Sequence, residues 1–240
     1  MKNSGIDLSP VACRPEAYAL VRRTLKSLDS TAGLVHCVFG VALHAFEDAR
    51  LQDVDRELDR LAARVLSQCP SAAAGKLNPL SLLSHLHEVL FEVEGFGKAP
   101  EERFYNPLNS YLPAVFELRQ GLPVTLCLVY KAVAERVGLQ VEGIFSRGHF
   151  LVRVHDGRSW MIVDPTHGGR VLTVAEACAL ISSTIGEQLA ADPRHLPPAT
   201  HKQWLRRVIV NLVHVFQAMH SSHDLLAMRE LLSLVDDHLD

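Results

Sequence analysis

At 240 residues with 48% hydrophobic content, the chain can bury a full core and fits one large domain or two small ones. Its 24 basic and 27 acidic residues leave a formal charge of −3, so nothing global favours nucleic acid or an anionic membrane surface. The first residues hold no apolar run able to act as a signal peptide, and no later segment stays apolar long enough to span a bilayer, so a soluble cytoplasmic protein is expected.

The amino-terminal part reads as helices. PEAYALVRRTLKSL carries apolar residues at helical spacing, and STAGLVHCVFGVALHAFEDARL is nearly all apolar. DVDRELDRLAARVLSQC alternates faces with a period near 3.6, with Asp53 expected as its cap. NPLSLLSHLHEVLFEVEGFG has Asn78 as cap, Pro79 at the first helical position and Gly95 as a stop. Turn formers and aromatics in GKAPEERFYNPLNSYLP predict a surface loop, with Asn106, Asn109 and Ser110 as its stabilisers. A short helix, AVFELRQG, should end at Gly121, and Pro123 then opens VTLCLVYKAVAERV, closed by Gly138. The front of that helix is apolar all round and is therefore expected to be buried on most sides.

Three runs with strand character follow, QVEGIF, HFLVRVH and WMIVD, the last two joined by a turn at Asp156 and Gly157. An antiparallel sheet is expected. Thr173 and Glu176 form a capping box for a helix through Cys178, and a proline-bearing linker leads to a closing helical hairpin the length of one helical repeat. No second copy of that unit occurs, which argues against a solenoid.

Five cysteines, Cys13, Cys37, Cys69, Cys127 and Cys178, lack C-x-x-C pairing, which argues against a disulfide framework and a cysteine zinc site. By default each is a small buried hydrophobe. The chemistry-bearing pair is His149, at the start of one strand, and Asp164, at the end of the next. A tight turn between those strands brings the two to the same sheet end, where a carboxylate can fix the tautomer of an imidazole.

The run HFLVRV from His149, GRSW ending at Trp160 and the DPT of Asp164, Pro165 and Thr166 are similar to the histidine and aspartate strands of the transglutaminase-like, papain-type superfamily. LHEVLFEVEGFG, FYNPLNSYLPAVFELRQGLPVTLCLVYKAVAERVGL, GHFLVRV and DPTHGG more specifically resemble the SirB-type bacterial family, whose core also occurs in certain F-box proteins. The likeness runs from about Leu34 to the end. It implies an α+β fold: a papain/transglutaminase-like core over 105–185, in which a central helix packs on a small antiparallel sheet. A helical subdomain over 1–104 precedes the core, and a linker with a repeat-like helical hairpin over 186–240 follows it.

The superfamily pattern puts a cysteine after a Gly-x pair at the start of the central helix. Here Gly121 and Leu122 are followed by Pro123. Cys127 lies four residues on, about 6 Å further along the helix axis. There its own N–H is committed to the helix ladder, and Leu126, Leu128 and Val129 should raise the thiol pKa. Thr125 is nearer the helix start but is expected to cap or to bond backbone, and Ser110 is a more distant hydroxyl candidate.

The expected function is a degenerate transglutaminase-like module that keeps the His149–Asp164 dyad and binds a peptide or protein partner in a regulatory role, without cofactor, nucleic acid or membrane. One alternative is a thiol-dependent amide hydrolase or acyltransferase using Cys127, His149 and Asp164. The other is a metal-dependent hydrolase with His149, Asp164 and His167 as ligands, His155 being about 20 Å from His149 along an extended strand. His85, His87, His220 and His223 read as surface or packing histidines, Arg119 as solvated by default or else paired with an acidic partner or substrate carboxylate, and Gly168-Gly169 as a turn. The sequence leaves the oligomeric state open.

Overall fold

The computed structural model describes residues 10–69 and 78–238. Helix α1 (Pro15–Thr24) leads into α2 (Thr31–Ala42), whose cap Ser30 accepts from the Gly33 N–H. Helix α3 (Leu51–Gln68) starts on Arg50 and not on Asp53. Arg50 is the residue that leaves the helical region, at φ −117° and ψ 132°, so Asp53 falls inside the first turn. There it faces the positive helix end and pairs with Arg50 and Arg56 instead of capping. Helix α4 (Pro79–His87) starts as expected, with the Asn78 side chain accepting from the Leu80 N–H at 3.0 Å. It runs on as a π-helical turn over Glu88–Val93, before Gly95 at φ +73°.

The expected loop at 97–113 carries more order than its composition suggests. Strand β1 (Gly97–Lys98) pairs in parallel with β2 (Gln120–Gly121), and two 3-10 turns and the start of α5 (Leu112–Leu118) lie between them. Helix α5 ends before Gly121, because Arg119 takes the left-handed conformation at φ 56°. That conformation is costly for a residue with a Cβ, and here the side chain is firmly held. Its guanidinium lies 2.8 Å from Glu57 and 3.2 Å from Glu94, and stacks on Phe96 at 4.8 Å. Arg119 is thus an ion-paired strut: of its two expected readings the acidic pairing holds, and the solvated default does not.

Central helix α6 (Pro123–Arg136) has Pro123 at its first position and is buried from Val124 through Ala134. After it, β3 (Gln140–Phe145), β4 (Phe150–His155), β5 (Trp160–Asp164) and β6 (Arg170–Leu172) form an antiparallel sheet in sequence order. The three expected strands are present, and β6 extends the sheet by a short edge. Side chains alternate as the pleat requires. Phe150, Val152 and Val154 enter the main core with α6, while Leu151 joins Ile144 and Leu172 in a smaller cluster. That cluster is covered by α7 (Val174–Ile185), which opens on the expected Thr173–Glu176 capping box.

Helices α8 (His201–Ala218) and α9 (Ser222–Asp236) form the closing hairpin. Trp204, Val208 and Leu212 of α8 share one apolar cluster with α2, α6 and the sheet. Close approach is possible because Gly143 has no Cβ: one built there would lie 2.5 Å from the Trp204 ring. Among the described residues, no helix is long and apolar enough to cross a membrane. Helix and sheet together make an α+β arrangement with a central helix packed on a small antiparallel sheet, as expected.

Candidate functional site

Strand pairing delivers His149 and Asp164 to one end of the sheet. The chain reaches His149 through a tight turn in which Gly148 has φ +76° and the Ser146 hydroxyl donates to the His149 carbonyl at 2.7 Å. The His149 Nε2 lies 3.4 Å from the Asp164 Oδ2, close enough for electrostatic attraction but not aligned for a hydrogen bond. Asp164 is only 1% exposed and its carboxylate is engaged on both oxygens. Oδ1 accepts from the Thr166 N–H at 2.9 Å and from the Thr166 hydroxyl; Oδ2 meets the His167 Nδ1 at 2.7 Å.

Burial alone would raise the Asp164 pKa. His149, Thr166 and His167 outweigh it, and the carboxyl is held well below its ordinary range. A buried negative charge beside Nε2 favours a proton on that nitrogen, which leaves the Nδ1 lone pair of neutral His149 as the ring's basic edge. His167 enters this cluster as the closest nitrogen partner of the carboxylate, a role the sequence reading did not give it. The signal was local: a 3-10 turn over Pro165–His167 folds position 167 back onto 164.

The amino end of α6 stands beside this pair. Leu122, Pro123, Val124, His149 and Phe150 line a groove of about 480 Å³. Pro123 presents no reactive atom to it. Cys127 lies beneath, fully buried, with its thiol directed at the Phe150 carbonyl at 3.5 Å. Burial foremost, and then the Asp164 charge, push the Cys127 thiol well above its ordinary pKa. Thr125 does not cap the helix as expected: it is fully buried and its hydroxyl has no hydrogen-bond partner. It therefore neither caps the helix nor bonds backbone, although it stands in the first turn. Ser110 is likewise buried and unpartnered. Asn106 and Asn109 hold the preceding loop as expected, Asn109 by donating to the Arg103 carbonyl at 2.6 Å.

The opposite wall of the groove comes from α8, some sixty positions away in sequence, and includes Arg207, Val210 and His214. Sequence reading missed these residues. Their spacing along an amphipathic helix was visible, but not which of its faces turns toward His149.

One cluster brings three metal-ligand atoms within 4.8 Å among the described residues, and it is His44, His223 and Asp224 instead of His149, Asp164 and His167. Its hydrogen bonds do not suit an ion. The Arg14 N–H donates to the His44 Nδ1 at 3.3 Å, so neutral His44 carries its proton on Nε2, facing Asp224 at 3.1 Å. A metal on Nε2 would place a proton on Nδ1 against that backbone N–H. His223 stacks on His44, consistent with a packing role. His87 also packs, hydrogen-bonded to the Tyr130 hydroxyl at 2.8 Å.

Comparison with known proteins places these features in a family. A family model described as "Transglutaminase-like superfamily" matches residues 52–210. The chain is 34% identical over 141 residues to a UPF0162 protein of Xylella fastidiosa strain 9a5c, covering 58% of this chain and 50% of that protein. It is 27% identical to a UPF0162 protein of Pseudomonas aeruginosa, covering 68% of this chain and 57% of the relative. With human F-box only protein 21 the identity is 26%, covering 69% of this chain and 29% of that protein. The chain spans about half the length of the Xylella relative. No solved structure matches it. The match across residues 52–210, carrying the central helix and the sheet with its His149 and Asp164 strands, makes the chain a member of the transglutaminase-like superfamily.

Proposed function

We propose that this chain is a transglutaminase-like module that no longer performs thiol chemistry and instead binds a peptide segment of a protein partner, in a regulatory role, along the groove beside His149. In this reading residues 105–185 form the working core, and Phe104 before it and α8 after it complete the groove. The carrying observation is Pro123: the first residue of the central helix faces the groove and has no attacking atom, while the nearest thiol on that helix, Cys127, has no exposed surface. The likeness to proteins named F-box only protein 21 agrees with a role in protein interaction.

Alkylation separates this reading from a thiol hydrolase or acyltransferase in which Cys127 attacks, His149 acts as base and Asp164 orients it. Native protein treated with iodoacetamide across pH should leave Cys127 unmodified until the chain unfolds. Selective labelling of Cys127 near neutral pH, lost in His149→Ala, would establish the thiol enzyme instead. A displayed peptide library panned on the native protein should yield binders that fail on a Val210→Trp variant, whose indole fills the groove. Binders indifferent to that variant would count against the groove.

A further inference from the structure

The groove is asymmetric in charge. Arg147, Arg207, His149 and His214 line it, and among the described residues no aspartate or glutamate does, in a chain whose formal charge is −3. Arg147 is at the rim, exposed and paired with Glu187. Arg207 is different. It sits partly buried on α8, stacked over the Phe145 ring at 5.3 Å, with one guanidinium nitrogen donating to the Ser146 carbonyl at 2.6 Å. Among the described residues it pairs with no carboxylate.

A guanidinium has five N–H donors in a planar fork that matches a carboxylate, and the backbone contact uses only one edge of it. Stacking on Phe145 and the anchor at Ser146 hold the fork in a fixed orientation, so binding loses little side-chain freedom. The amino end of α6, Leu122 to Val124, lines the same groove and adds the positive end of a 14-residue helix. The remaining lining is largely apolar, with Phe104, Pro123, Phe150, Val210 and Val215, and Tyr105 and Asn211 add a hydroxyl and an amide to it.

We infer that the groove takes an extended peptide bearing an Asp or Glu side chain next to an apolar residue, with the carboxylate on Arg207 and the apolar neighbour against Phe150 and Val210. This rests on the peptide-binding reading above and names the chemistry of the ligand. A single oriented guanidinium amid apolar walls suits one acidic side chain better than the repeated phosphates of a nucleic acid, which need a basic stripe.

The test uses the full chain and four series of fluorescein-labelled nonapeptides, identical but for a central Glu, Gln, Lys or phosphoserine flanked by varied apolar residues, read by fluorescence polarisation. The best Glu peptides should bind at least tenfold more tightly than their Gln counterparts, and the Lys series should be weakest. Arg207→Gln should erase the Glu over Gln preference, and Arg207→Lys should restore part of it. Should Arg207→Gln unfold the chain, Val210→Glu is the second probe: it adds a negative charge to the same wall and should invert the order of the Glu and Lys series. Equal binding of Glu and Gln peptides, or a preference that survives Arg207→Gln in folded protein, overturns the acidic specificity and leaves the groove as a peptide site. A phosphoserine series binding tenfold better than Glu would make the ligand a phosphopeptide and also overturn it. Absence of binding by every series overturns this inference and the peptide-binding reading together, whereas labelling of Cys127 overturns only the latter's non-catalytic premise.

Discussion

The indole Nε1 of Trp204 donates to the carbonyl of Val124 at 2.9 Å, tying the closing hairpin to the first turn of the central helix. The same ring lies 4.6 Å from Phe150 and occupies the space above Gly143. Helix, sheet and hairpin therefore meet at one side chain, directly behind the groove. Trp204→Phe keeps most of the apolar contact and loses the hydrogen bond, so a cost of about 1 kcal/mol is expected; Trp204→Ala also leaves a cavity and should cost about 3–5 kcal/mol. Gly143→Ala drives a methyl into the ring and should cost about 1–3 kcal/mol. Urea denaturation of the three variants checks this order.

His87 provides a pH dependence of opposite origin to that of a surface histidine. Burial pushes its pKa down from 6.5 to about 4, while its ring bonds the Tyr130 hydroxyl. The unfolded chain therefore takes up a proton in the window between those values that the folded chain refuses. Stability from this group is full above pH 6.5 and falls as pH drops towards 4, by about 2–3 kcal/mol across the window. In His87→Phe, which keeps an aromatic ring but cannot titrate, the slope of unfolding free energy against pH between 6.5 and 4 should flatten. An unchanged slope in the variant would assign the acid sensitivity elsewhere.

Much of this architecture was legible because local chemistry and tertiary demand agree. Pro123 can only open a helix comfortably, the capping box at Thr173 and Glu176 satisfies two orphan donors at once, and QVEGIF, HFLVRVH and WMIVD carry the β-branched and apolar residues that strands favour. The His149–Asp164 approach followed from that register. What stayed hidden depends on partners distant in sequence. Arg119 adopts a left-handed backbone because Glu57 and Glu94 hold it, and no local signal announces either residue. β1 and β2 are two residues each and exist only as a pair. Arg207 reads as one more polar residue on an amphipathic helix until the fold turns it to face His149.

Asp164 should dominate the response of the site to acid. Its depressed pKa means the stabilisation is present above the ordinary aspartate value of 3.8 and is lost as pH falls through the lower folded value. Asp164→Asn removes the charge that His149 and His167 share but leaves an oxygen for the Thr166 N–H. A loss of about 1–3 kcal/mol at neutral pH is expected, and the difference from wild type should shrink below pH 4. Parallel unfolding titrations of the two proteins between pH 7 and 2 measure it. A difference that stays constant with pH would mean that the carboxylate charge contributes nothing.

Restoring an attacking atom is the most direct probe of what the groove retains. Pro123→Cys puts a thiol at the first position of α6, on the groove wall that also carries His149, where first-turn N–H groups and the positive end of the helix dipole favour the thiolate. Removing the proline relaxes the unfolded chain and should cost no more than about 1 kcal/mol, since no hydrogen bond depends on it. An ordinary thiol of pKa near 8.5 is only about 3% ionised at pH 7, so a shift towards 7 multiplies the reactive form by about tenfold. All five native cysteines are buried, which keeps the background low. Iodoacetamide at pH 7 should therefore label Cys at position 123 about tenfold faster than a free thiol, and His149→Ala in the same background should slow it severalfold by removing the base. Labelling at the free-thiol rate with and without His149 would mean that the dyad exerts no field on the groove, and that His149 and Asp164 serve the sheet end alone.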